Sequence, residues 1–493
     1  MELIYKETPA ERLISRLDYQ ASVTGDMPTP DGRTLIRVLS SQPRVELTGV
    51  KPGKGEIALE GRVNIIIGAV DADGALFAYQ SGASFSHRME CENASPSMRA
   101  EADANVISLD VAPSGASAAL SADVDFDIRL ISTEQLRACV GIKGGDDDIE
   151  IKSAESRFGF RRQIGSSNMN LREEIAADEA AEVISNESMI AVKETAWDNE
   201  GCTVSGIITV SAVTADKYGR AGQLVRQIPF RERMNASSRS DDAYCEARIR
   251  SLYIRSLGEE YSILALEAEV TFELFDVETV ETEIPQDLFS VSRGIRPATE
   301  TARINCSRGL VQIQNNLKEN ITIPETMPAI GAVMYTSAFP VINDANFEQG
   351  MLNVSGVLVT SVAYETAYGS KEAFRTEVPF TVSEPISEES NVPRIKANCI
   401  ASAVASDERK VQVQYYLNIS AEMLTTEELC YVSSAEECEI EREAPGIIVV
   451  FASKGEEVFD IAKRYSVPCE SVRKLNPGIA EPFSEGDKLI LMV

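Results

Sequence analysis

Histidine is nearly absent: the chain of 493 residues carries one, His87, along with a single tryptophan. A multi-histidine metal site is thereby excluded, and any Ser-His or Cys-His nucleophile pair would rest on that one residue. His87 follows Phe85 by two positions in a strand-like stretch, which reads as an ordinary strand residue. Positive charge is also in deficit, with 47 Lys and Arg against 77 Asp and Glu, a net charge of −30. Such a surface repels phosphate backbones and anionic leaflets, so no nucleic-acid partner is expected. The apolar runs, such as 64–70 and 446–452, fall far short of a membrane span, and none is expected. The opening residues lack a basic segment and an apolar segment, so no export leader is expected and the chain reads as cytoplasmic. The nine cysteines are scattered with no C-x-x-C pair, the pattern of reduced thiols that need no disulfide. Glycine-rich phosphate loops and Gly-x-Ser-x-Gly elbows are missing too. No catalytic residue, cofactor or metal is expected.

What the chain does have is a repeat. Gly61, Gly206 and Gly356 each sit in an alternating stretch with apolar residues two positions either side: Leu59/Val63, Val204/Ile208 and Val354/Leu358. At one constant offset follow Gly74, Gly219 and Gly369, and at a second follow Phe85, Phe230 and Phe380. A period of two puts one face of each stretch inward, the mark of half-buried strands. A glycine in the apolar phase marks a bulge or a close approach of backbone, and the turn glycines a positive φ. The expectation is a mainly β chain of three tandem, β-rich, sandwich-like repeats. Their spans are residues 1–145, 146–295 and 296–424, with cores at 34–126, 182–275 and 330–422. The carboxylate run at 146–148 reads as a solvated linker rather than a cation site.

Residues 425–444 are dense in glutamate and read as an acidic linker, after which Pro445-Gly446 breaks the chain. Past it, 447–451 reads as a strand, and Val458, Ile461, Ala462 and Tyr465 make one apolar helix face. Pro468 opens a second short helix bearing Val472 and Leu475, Asn476-Pro477-Gly478 stops it, and 486–491 returns as a strand. Residues 445–493 thus read as a small, detachable α+β domain of order strand-helix-helix-strand.

The glycine strand, the glycine turn and the Pro-Phe of the later copies (Pro229-Phe230, Pro379-Phe380) resemble the SPOCS domain of endospore-forming bacteria; the first copy has Ser84 in place of the proline. The C-terminal module resembles the LysM domain. Gly455-Glu456-Glu457-Val458 stands at that family's Gly-Asp-Thr-Leu turn, Ile461-Ala462 and Tyr465 match its first helix, Asn476 its helix-ending asparagine, and Gly486-Asp487-Lys488-Leu489 its final turn. This resemblance implies a shallow groove for N-acetylglucosamine units between the loops 453–457 and 476–479. The candidate contact residues are then Lys454, Gly455, Glu456, Glu457, Asn476, Pro477, Gly478 and Ile479. Pro477 and Ile479 would supply apolar area, and Lys454 and Glu456 charge at the rim. Two glutamates replace the family's Asp and Thr, which makes for a poorer helix cap and adds charge where sugar amides would approach.

SPOCS repeats ending in a LysM domain resemble the SipL-type morphogenetic proteins of clostridial endospore formers. The resemblance implies a non-enzymatic spore coat assembly adaptor in the mother-cell cytoplasm, at the forespore surface. Its LysM domain would dock a coat-scaffold morphogenetic ATPase, with other spore coat proteins as further partners. The alternative is a peptidoglycan- or chitin-type N-acetylglucosamine binder.

Overall fold

The computed structural model describes residues 2–143, 148–176, 181–198, 201–216, 220–257, 263–386, 394–439 and 446–493. Among these the chain is mainly β, and its α-helices are two short ones near the C-terminus. The first six strands are β1 (Glu2–Pro28), β2 (Leu35–Pro52), β3 (Glu56–Asp71), β4 (Leu76–Glu90), β5 (Arg99–Pro113) and β6 (Ser117–Lys143). A second group follows: β7 (Ile149–Ala176), β8 (Ala181–Asp198), β9 (Gly201–Asp216), β10 (Ala221–Met234), β11 (Tyr244–Leu257) and β12 (Ile263–Ser290). The third comprises β13 (Gly294–Thr322), β14 (Ile330–Glu348), β15 (Met351–Thr366), β16 (Lys371–Pro385), β17 (Arg394–Asp407) and β18 (Lys410–Cys438).

Each group is wired alike. Its first and last strands pair antiparallel along their length, its fifth strand flanks the last, and its second to fourth form a meander. The two sheets stack, so that Leu59 and Val63 of β3 share a core with Val124 and Phe126 of β6. All six apolar residues flanking the three anchor glycines are 0% exposed, as their alternation requires.

The fixed offset from glycine to phenylalanine is a hairpin register. Gly61 lies opposite Phe85, Gly206 opposite Phe230 and Gly356 opposite Phe380 in the central pair of each meander. The aromatic ring covers the glycine facing it: a Cβ at Gly206 would stand 2.7 Å from the Phe230 ring. On the other side the neighbouring strand bulges, between Leu47 and Gly49, Val192 and Glu194, and Ile342 and Asp344. Bulge and close approach therefore occur together. Gly74 and Gly369 turn with φ of 77° and 80°; Gly219 lies outside the described residues, as does the run at 146–147.

Two boundaries differ from expectation. The cores at 34–126, 182–275 and 330–422 omit the first strand of each group, and the long first and last strands run on past the sandwich as two-stranded ribbons. Residues 425–438, expected as linker, are the end of β18 paired with β13; residues 440–445 lie outside the described residues. The physical reason is that Leu429, Tyr431 and Val432, spaced among the glutamates, are buried against other ribbons. The glutamates meanwhile find cations across the pair: Arg303 with Glu428 at 3.0 Å and Arg308 with Glu427 at 2.6 Å. Ile284 of β12 joins Ile304 and Cys306 of β13 in that shared core, and Arg12 of β1 registers with Ile304.

The three sandwiches also meet one another. Leu39 and Val70 from the first, Val213 from the second and Met334, Tyr335 and Ala363 from the third form one apolar cluster. Gly68 makes this possible, because any side chain there would collide with the Tyr335 hydroxyl. Beside the cluster is a cavity of about 940 Å³ walled by all three groups. At its rim Arg394 of β17 pairs with Asp103 of β5 and, at 3.4 Å, with Glu422 of β18.

Candidate functional site

The C-terminal module consists of β19 (Ile447–Phe451), α1 (Val458–Tyr465), α2 (Cys469–Leu475) and β20 (Lys488–Met492). In both strands the residues of both phases are apolar, save Lys488, so neither sheet face is suited to water. β19 and β20 pair antiparallel, with Ile447 opposite Met492, Val449 opposite Ile490 and Phe451 opposite Lys488. Val450, Leu489 and Leu491 bury one face against Val458, Ile461, Ala462 and Val472 of the helices. The other face is bare: Ile447 is 74% exposed, Phe451 64% and Met492 60%, with Val449 and Ile490 between them also exposed. Leu475 at the end of α2 is exposed as well.

The loops behave differently from expectation. α1 is well capped: Asp460 reaches back to accept from the Glu457 N–H at 2.9 Å, and Glu481 accepts from the Val458 N–H at 3.0 Å. Glu456 accepts from the Ser453 N–H at 2.8 Å and pairs with Arg464, so it braces its own loop. Gly455, with φ of 87°, and Gly478, with φ of 85°, provide turns that other residues would strain. Asn476 is buried and structural. Its Nδ2 donates to the carbonyls of Val472 and Ile490 and its Oδ1 accepts from the Ile490 N–H, clamping α2 to β20. Ile479 is half-buried against the module core, while Lys454 and Pro477 are exposed. Backbone bonds tie the first loop to Phe483, through the Gly455 N–H at 2.8 Å and the Glu456 carbonyl at 2.7 Å. Among the described residues no hydrogen bond or ion pair joins it directly to residues 476–479. Of the eight candidates, Asn476 and Glu456 serve the fold, and Lys454, Gly455, Pro477 and Gly478 remain open to a ligand.

Glu457 is engaged with the rest of the chain. Lys152 of β7 pairs with it at 2.8 Å and with Asp460 at 3.7 Å. The Glu457 hydrogen bond holds the Lys152 ammonium above its ordinary range against the opposing effect of burial. Lys463 bonds Asp287 of β12 at 2.6 Å, the Cys469 N–H donates to Glu150, and the ring of Phe459 meets that of Phe289 edge-on at 5.3 Å. The module is thus not a free domain on a tether, because its helices are seated on the ribbon of the second group. That seat covers α1 and leaves the outer face of β19 and β20 open.

The bare face was missed by a reading that followed the loops, although its signal is plain in the sequence. A strand of five consecutive apolar residues buries only one phase in a two-layer module, and the other must face something else. Comparison with known protein families, with curated proteins and with solved structures returns no match, so the functional reading rests on this geometry and on the residues themselves.

Proposed function

We propose that the chain is a non-enzymatic assembly adaptor: three SPOCS-type sandwiches carrying a LysM-type module that docks a protein partner. The observation that carries this reading is the bare apolar face of Ile447, Val449, Phe451, Ile490 and Met492. A two-stranded sheet is about 10 Å wide, close to the 10–12 Å diameter of one helix with its side chains. Helices already cover its other side, so an amphipathic helix laid on the bare face would complete a sandwich. Lys488, the one charge on that face, favours a carboxylate on the helix rim. The resemblance to SipL-type proteins names the partner as a coat-scaffold morphogenetic ATPase, met at the forespore surface in the mother cell.

Replacing Val449 with Lys and Ile490 with Glu, an opposite-charge pair across the two strands, tests this. Both side chains are exposed, so the thermal midpoint should hold, while affinity for purified coat-scaffold protein should fall by about 1–3 kcal/mol or more. Chitin oligomers are titrated in parallel. Sugar binding that survives the double substitution, with no protein binding by the parent chain, would instead support a wall-glycan groove at Lys454, Gly455, Pro477 and Gly478.

A further inference from the structure

A polar network lies where the three sandwiches meet. Glu187 of β8 accepts a hydrogen bond from Gln42 Nε2 of β2 at 2.5 Å, and another from Ser211 of β9. Gln223 of β10 donates to the carbonyls of Thr336 on β14 at 2.9 Å and Ala401 on β17 at 2.8 Å, and accepts from the Thr336 N–H. The Ser40 hydroxyl of β2 donates to the Tyr335 hydroxyl of β14 at 3.2 Å. First joins second, second joins third and third joins first. A void of about 20 Å³ bordered by Glu187, Gln223 and Thr336 lies among them, and Glu187 and Gln42 also line the larger cavity beside it.

Glu187 is half-buried between this void and the larger cavity and makes no ion pair among the described residues. The titratable groups facing it are Tyr335 from β14 and Cys399 from β17, both held neutral because burial pushes their pKa values up. β2, β9 and β10 present only Ser40, Gln42, Ser211 and Gln223. The cations of the larger cavity are committed or remote: Arg394 and Lys396 pair with Asp103, Arg248 pairs with Glu246, Arg250 donates to Thr271, and Arg44, two positions along β2 from Gln42, is exposed. On its protein side an ionised carboxylate here would face only neutral dipoles.

We propose that Glu187 is a proton-operated latch at the junction: protonated, it lets the three sandwiches close on one another, and ionised, it loosens them. Burial pushes its carboxyl up to about 7, against the opposing pull of the Gln42 and Ser211 hydrogen bonds. The folded value lies above the unfolded one, about 4.3. The latch is therefore fully engaged below the unfolded value and is lost as pH rises through about 7.

Cys399 reports on the junction, being buried there in the closed state. Alkylation of Cys399 is followed by peptide mass spectrometry in the parent protein and in Glu187→Gln, at pH 6 and pH 8. Comparing the two proteins at one pH cancels the ionisation of the thiol, and His87 is common to both. The expected result is a rate ratio of parent to Glu187→Gln that rises about tenfold between pH 6 and pH 8. A ratio unchanged between the two pH values would overturn the proposal. Should Glu187→Gln fail to fold, amide exchange of the parent protein decides. Corrected for intrinsic rates, protection in β2, β8 and β14 should drop between pH 6 and pH 8 relative to α1; an unchanged ratio overturns the latch.

Discussion

Gly206→Ala should unfold the second sandwich, at a cost of about 3 kcal/mol. The added Cβ would strike the Ala191 carbonyl on one side and the Phe230 ring on the other, and backbone cannot swing away as a side chain can. Trimming Phe230 in the same chain should give little rescue, since the carbonyl remains in place. Gly222→Ala on the adjacent strand is the control. No heavy atom lies within 4 Å of its Cβ position, so the substitution should leave stability unchanged or raise it slightly. Urea midpoints of the three proteins check the expectation. A Gly206→Ala midpoint matching that of Gly222→Ala would show that the close approach in β9 is not what the glycine serves.

Arg394→Met should cost a comparable amount, about 3 kcal/mol, by a different route. The guanidinium, 16% exposed, holds Asp103 of the first sandwich against Glu422 of the third. Without it those carboxylates keep only looser partners, Lys396 at 3.7 Å and Arg129 at 4.0 Å from Asp103 and Arg161 at 3.5 Å from Glu422. The thermal midpoint should fall, and most of the loss should return in Arg394→Met combined with Asp103→Leu, which removes the stranded charge. Failure of the second substitution to restore stability would mean that Arg394 acts through packing of its aliphatic stem.

Much of the sandwich was legible in the chain because its constraints are local. A glycine and the phenylalanine that covers it are joined by one hairpin, so their offset survives in each copy. The flanking strands β1, β7 and β13 left no such trace. Their residues are mostly half-buried in mixed order, and their partners lie 87 to 144 residues away, from Ala176 with Ile263 to Gly294 with Cys438. The glutamates of β18 look like a linker by composition, and only the arginines across the ribbon show why they are tolerated in a strand. At the module, the LysM pattern led to loops whose polar residues mostly brace the fold, as Asn476 and Glu456 do. The junction was the least visible. Gln42, Glu187 and Gln223 look like ordinary strand polar residues until three distant segments are brought together.

The pairing of first strand with last sets a timetable for synthesis. Leu3 finds its partner only at Ile142, so β1 cannot close its ribbon until the whole first group has left the ribosome. At about 5–20 residues per second that is a wait of roughly ten seconds or more, and each later group repeats it. During each wait a long strand edge stands open, and a neighbouring nascent chain from the same message offers an identical partner strand. Exchange of whole ribbons between chains, giving interlocked dimers, is therefore the characteristic misassembly of this architecture, and slowing translation past residue 143 should suppress it for the first group.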